Sequence, residues 1–563
     1  MPSASVTRPV DAIADQFVSD SAVESPELAT YLGVEGYDHL WSDYSPEGYA
    51  TRVGHTRQTI AALHAANPVD EREHVAKEAM LERLSLEVEL YDAHITRSRV
   101  SVIAGHAQEI RSTFDMMPTD TPEAWANVAE RLRTVDQALQ QVTETLAAEA
   151  DEGNVSALRQ IRGTVEQIDT WTGVSGRDDF FAGLAAQVPA DEVDRLQATV
   201  ADAADRARTA FDGFARWLQS ELAPRAPRLD AVGEERYALN SRAFLGARID
   251  LAETYAWGWT ELERIQSEQR QIARELTGDD DIKSACAALD ADPTRRIAGA
   301  AAFRDWMQGL ADQAIADLSG THFDIPEQIA RIECCLAPTH DGAIYYTDPT
   351  EDFSRPGRMW WAVPEGITEF STWKEVTTVY HEGVPGHHLQ IGQNAVRADL
   401  LNRWQRKLCF VSGHGEGWAL YAERLMDELG YLADPGDKMG MLDAHAFRAA
   451  RVIIDIGMHL QLEIPPNASG FRVGERWTPE AGLEFLLAAC ATDEPTLIFE
   501  RDRYLGWPGQ APSYKIGERV WLEAREDYRR RHGDAFDLRR FHADALDLGA
   551  LGLDPLRTAL ARL

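Results

Sequence analysis

The chain has 563 residues, with 56 Lys and Arg against 92 Asp and Glu, so 56 minus 92 leaves a formal net charge of −36. A surface this acidic repels nucleic acid phosphates and anionic lipid, which excludes both as expected partners. It would favour cationic substrates, although the same acidity also serves solubility alone. Apolar residues make up 44% of the chain, enough for a large core. The length suits roughly two to four ordinary domains, or one large helical enzyme with two lobes. The five cysteines, Cys286, Cys334, Cys335, Cys409 and Cys490, are odd in number and form no CxxC pair. That excludes a disulfide framework and a thiolate zinc site, and the adjacent Cys334 and Cys335 read as buried small apolar residues.

In chain order, the opening "MPSASVTRPVDAIADQFVSD" lacks the basic start and apolar stretch of a signal peptide, and no later run approaches a membrane span. The expectation is a soluble, cytoplasmic protein. Met80, Leu84, Val88 and Tyr91 recur at helical spacing. So do Val193, Leu196, Val200, Ala203, Ala207, Phe211, Phe214 and Leu218, and both stripes predict long amphipathic helices. "ELAPRAPRLDAVG", Glu221 to Gly233, interrupts the pattern with two prolines. A lobe boundary is expected there, dividing an N-terminal helical lobe, 1–225, from a catalytic lobe, 226–563, unless the two form one continuous domain. Between about Phe323 and Gly366 the segments "GAIYYTDPT" and "RMWWAVPEG" read as short strands of a small sheet, and helical periodicity then resumes.

The chemistry concentrates after this sheet. "YHEGVPGHHLQ" places His381 and Glu382 ahead of His387 and His388. Zinc peptidases of the HExxH type space their two histidines four residues apart on one helix. Here the gaps are six and seven. On a regular helix the first gap faces the side chains apart, and the second separates them by ~10.5 Å of rise, too far for one ion. Gly383, Val384, Pro385 and Gly386 resolve the conflict, because proline removes a helix hydrogen bond and glycine accepts unusual dihedrals. The insert is expected to bulge or kink the helix and return a histidine to the second ligand position. His387 is favoured, by likeness to a Gly-His-Ala-Leu ending of some zinc peptidases. His388 then faces substrate or supports the site from behind. Downstream, "SGHGEGWALYAERL" supplies Glu416 as third ligand and Glu423, seven residues on and on the same helix face, as a carboxylate orienting a histidine. Two His and one Glu leave a position open on a catalytic zinc ion. His414 is expected to start a helix without a ligand role.

These motifs resemble a bacterial family catalogued as domain of unknown function 885, whose hallmarks are HEGxPGHHLQ, EGWALYAE, an Arg-x-x-Arg segment ending in Asp-x-Gly-x-His, and PGQAxSYKxG. The corresponding stretches are "HEGVPGHHLQ", "GEGWALYAE", "RAARVIIDIGMH" from Arg448 to His459, and "PGQAPSYKIG" from Pro508 to Gly517, which departs at Pro512. The family looks similar to helical metallopeptidases of the carboxypeptidase Taq type. The resemblance implies a mainly α, two-lobed fold with a deep cleft and a small β-sheet next to the zinc helix. It also implies one zinc ion and hydrolysis of short peptides, a carboxypeptidase being one form.

Under that reading Glu382 is the general base, and Tyr514 is suited to hydrogen-bond an oxyanion or else merely packs a turn. Arg448, Arg451 and Arg503 are candidates for binding a terminal carboxylate, while Lys515 has no evident partner. Other readings are a zinc hydrolase of a non-peptide amide or ester, and a non-catalytic, metal-containing peptide-binding protein. Retention of Glu382 argues against the last.

Overall fold

The apolar stripes form the helices that their spacing predicts. In the computed structural model, which describes residues 8–176, 179–189, 194–337, 344–363, 366–467 and 470–563, the helix Asp194–Trp217 buries Val200, Ala203, Ala207, Phe211 and Phe214. Val193 lies outside the described residues. This helix packs along Pro122–Asp151, a 30-residue helix with Pro122 at its first position and the Thr121 side chain accepting from the Ala124 amide. Their facing residues, with Trp125, Leu132, Leu139 and Ile161, make one continuous core.

The chain divides into two compact units. One comprises 1–68, 84–232 and 499–508; the other comprises 69–83, 233–498 and 509–563. The division is therefore not a single cut near residue 225, because two short segments each return to the unit that is remote from them in sequence.

The second unit carries the motifs. Its main helices are Leu251–Thr277, Ser412–Glu428, Pro435–Leu460 and Ser513–His532. Ser412–Glu428 and Ser513–His532 lie close because both are bare where they meet: a Cβ on Gly417 would stand 2.4 Å from the Gly517 backbone, and one on Gly517 2.0 Å from the Gly413 carbonyl. The small sheet has Gly357–Trp361 at its centre, parallel to Ile332–Leu336 and antiparallel to Tyr345–Thr347. "GAIYYTDPT" thus supplies an edge strand, while "RMWWAVPEG" supplies the central one; Gly342, Ala343, Pro364 and Glu365 lie outside the described residues. Cys334 is buried in this sheet and Cys335 half-buried. A second, two-stranded ladder pairs Arg296–Ala298 with Glu369–Ser371. The protein is mainly α with small sheets, and among the described residues no helix is long and apolar enough to cross a membrane.

Candidate metal centre

The glycine-proline insert ends one helix and starts another. Glu375–Glu382 stops at Gly383, and His387–Val396 begins directly after Gly386. The connection is tied back on itself: the Gly386 amide donates to the Tyr380 carbonyl at 3.1 Å, and the His388 amide to the Gly383 carbonyl at 3.1 Å. The Trp418 indole N–H anchors the Pro385 carbonyl at 2.8 Å. Gly386 is obligatory, since a Cβ there would fall 1.9 Å from the His381 carbonyl oxygen. The outcome is that His381 and His387 meet edge to face, ring centroids 4.8 Å apart at 90°.

Glu416 completes the group. Its Oε2 lies 3.4 Å from His381 Nε2 and 3.5 Å from His387 Nε2. Four donors on a tetrahedral zinc at about 2.0–2.2 Å sit about 3.3–3.6 Å from one another, so these spacings match two edges of such a tetrahedron. Hydrogen bonding gives the same indication. His381 Nδ1 faces Glu423 Oε1 at 2.8 Å and must carry the proton, because a carboxylate only accepts. In the neutral ring Nε2 is then a lone pair, directed at another acceptor. Glu416 Oε2 is buried and has no hydrogen-bond partner, as are His387 Nδ1 and Glu382 Oε2. The two carboxylate oxygens and the Nε2 lone pairs of His381 and His387 are acceptors with no donor among them, which fits a cation; the proton of the His387 ring then sits on Nδ1. Burial pulls the His381 pKa down, but Glu416 and Glu423 outweigh it and hold it at about 9. Burial would raise Glu416, but His381 and His387 hold it far below the usual carboxylate range.

Glu382 stands beside this group; the ligand atoms of His381, Glu382 and His387 all lie within 4.8 Å of one another. Burial raises its pKa, opposed by His387 and His381. Glu416 rather than Glu382 suits the third ligand position, because Glu416 stands at tetrahedral edge distance from both histidines.

The motifs around this centre agree with a family assignment that spans nearly the whole chain. A family model described as "Bacterial protein of unknown function (DUF885)" matches residues 26–560. The chain belongs to the DUF885 family. No curated protein matches it. Solved structures share the fold of this DUF885 chain. A "putative lipoprotein from Colwellia psychrerythraea" aligns with a TM-score of 0.84 at 22% identity, covering 98% of both chains. A "putative lipoprotein of unknown function from Shewanella oneidensis" aligns at 0.75 and 17% identity, covering 99% of this chain and 100% of that one. A Pyrococcus furiosus carboxypeptidase aligns at only 0.34 and 10% identity over 98% and 97% of the two chains, too low to carry an argument.

The remaining expected residues of the DUF885 chain are distributed unequally. Glu423 is fully buried, with Thr377 Oγ1 donating to its Oε2 while His381 holds its Oε1. Arg448 and Arg451 both approach the Tyr514 ring, at 5.8 and 5.1 Å from its centroid, so the three form one cluster. Arg448 also lies 3.9 Å from Glu423 Oε1. His388 points elsewhere. Its Nε2 donates to the Ile329 carbonyl at 2.9 Å and its Nδ1 accepts from the Tyr346 hydroxyl at 2.9 Å, so both nitrogens are used in joining the helix to the sheet. That placement does not suit a substrate-facing role. Arg503 belongs to the first unit and pairs with Glu500 at 2.8 Å. His414 accepts from the Gln390 amide at 2.6 Å. Pro512 caps the helix that carries Tyr514, with φ −67° and ψ −20°, a conformation proline adopts freely.

Sequence reasoning misses His445 and the partners of Lys515. Lys515 is buried, 2.9 Å from Glu261 and against Glu518, with His445 Nδ1 3.3 Å away. Part of the signal is present: His445 stands three residues before Arg448 on the same helix, so those two are neighbours on its surface.

Proposed function

We propose that this protein is a zinc-dependent hydrolase of short peptides, with carboxypeptidase action as its specific form. The observation that carries the reading is the convergence of His381, His387 and Glu416 at tetrahedral spacing, with a buried carboxylate, Glu382, beside them. Zinc held by those three residues would polarise the scissile carbonyl and lower the pKa of a water molecule.

The chain's own groups do the rest. Glu382, raised in pKa by burial, takes a proton from the attacking water and returns it to the leaving amine. Glu423 keeps His381 in the Nδ1–H form, leaving Nε2 to face the metal position. Tyr514 can donate to a developing oxyanion. Arg448 and Arg451 flank it as a cationic pair able to grip a terminal carboxylate through planar, two-pronged hydrogen bonds. A cytoplasmic location belongs to the same proposal and is tested by cell fractionation, recovery with the membranes counting against it. The deciding experiment measures zinc content of the purified protein and its turnover of a mixed peptide library, with and without a chelator. Stoichiometric zinc and chelator-sensitive cleavage are expected. Bound zinc with no turnover would leave a metal-containing peptide binder.

A further inference from the structure

The group behind Glu423 forms a directed chain of polar contacts, in which the His445–Glu423 link is a close approach of a buried Nε2 that has no other hydrogen-bond partner. Lys515 is 1% exposed and its ammonium group can only donate. It lies 3.3 Å from His445 Nδ1, nearer than Glu518 Oε1 at 3.6 Å, so that nitrogen is assigned as an acceptor with the proton of the neutral ring on Nε2. His445 Nε2 in turn faces Glu423 Oε2 at 3.5 Å. That oxygen also receives the Thr377 hydroxyl. Glu423 Oε1 takes the His381 Nδ1 proton at 2.8 Å, with the Arg448 guanidinium 3.9 Å away. Lys515 is itself held by Glu518 and Glu261, which bracket it on either side, and His445 is completely buried. Every link therefore has one polarity: lysine to His445, His445 to Glu423, and His381 to Glu423 from the opposite end.

We infer that Lys515 and His445 are positioning residues for the metal centre, setting through Glu423 the tautomer and orientation of His381. A buried lysine placed only for stability would gain from its two carboxylates and would not need the imidazole. The inference rests on the zinc reading above, and it concerns metal affinity rather than the bond cleaved. Loss of an orienting partner typically lowers metal affinity about 10–100-fold.

The test is zinc affinity of the full-length protein, measured by competition with a chelating dye, with thermal melting as a check of folding. Lys515→Met and His445→Leu should each bind zinc at least ten times more weakly while folded. His445→Gln should largely restore affinity, because its amide can accept from Lys515 and donate to Glu423 in the same order. In a Glu423→Gln background, Lys515→Met should cause little additional loss, since its route to His381 is already broken. Wild-type affinity in Lys515→Met, or full additivity with Glu423→Gln, overturns the inference. If Lys515→Met does not fold, equal affinities of the His445 leucine and glutamine variants overturn it instead. A wild-type protein that takes up no zinc overturns the metal reading and this inference together.

Discussion

Four side chains divide the work at the centre, and each assignment has its own consequence. Replacing His381, His387 or Glu416 by alanine should abolish zinc binding, read by metal analysis. His388→Ala should keep the zinc but cost about 1–3 kcal/mol in unfolding free energy, because the Tyr346 hydroxyl and Ile329 carbonyl lose their shared partner. Loss of zinc in His388→Ala with retention in His387→Ala would reverse the ligand assignment. Glu382→Gln is nearly isosteric and touches no ligand role, so the metal should stay while turnover drops by ~10²–10⁴-fold or more. Near wild-type turnover would remove Glu382 from the mechanism. The Arg448 and Arg451 pair predicts that a free-acid peptide is cleaved much faster than its C-terminal amide, and that Arg451→Ala erases the difference. Equal rates on acid and amide in the wild type would end the carboxypeptidase form of the proposal.

At the scale of elements, what can be read from the sequence depends on how local the cause is. The stripe from Val200 to Leu218 and the Pro-Gly insert act over a few residues, so helix and interruption are both legible in the residue order alone. Composition predicts that the insert bulges or kinks one helix; it ends one and starts another, because Gly383 and Gly386 both turn to ψ −131°, outside the helical region. The role of His388 is not legible, since adjacent histidines look alike until the sheet shows which of them it holds. Lys515 is only partly legible: Glu518, three residues on, can be read from the sequence, but Glu261 and His445 are 254 and 70 residues away (515 minus 261, 515 minus 445). The bare seam between the helices of Glu416 and Tyr514 gives the prediction proper to this scale. Gly417→Ala must push Gly517 back and overpack the seam, at a cost of about 1–3 kcal/mol or more, and it should lower zinc affinity as well as melting temperature. Phe211→Ala, in the first unit, should cost about 3–5 kcal/mol while leaving the metal site's ligand set untouched, as zinc analysis of the folded variant would show.

For the whole molecule, the excess of 36 negative charges sets a background against which the site works. Self-repulsion destabilises the compact state and is screened within ~10 Å at 0.1 M salt. Melting temperature should therefore rise between very low and moderate ionic strength; a flat or falling curve would mean that the charges are locally neutralised. The division into units has a different kind of consequence, one of timing. Residues 499–508 belong to the first unit, where the Asp502 carbonyl accepts from Gln160 at 2.7 Å and Arg159 reaches its carboxylate at 3.3 Å. On a ribosome adding ~5–20 residues per second, that segment emerges on the order of 15–55 seconds after residue 232. Throughout that interval the N-terminal helices wait without one of their own parts, while residues 69–83 wait for a unit not yet made. Neither unit can be finished before residue 508 has been made, so a chain stopped short of it yields two incomplete bodies rather than one sound one.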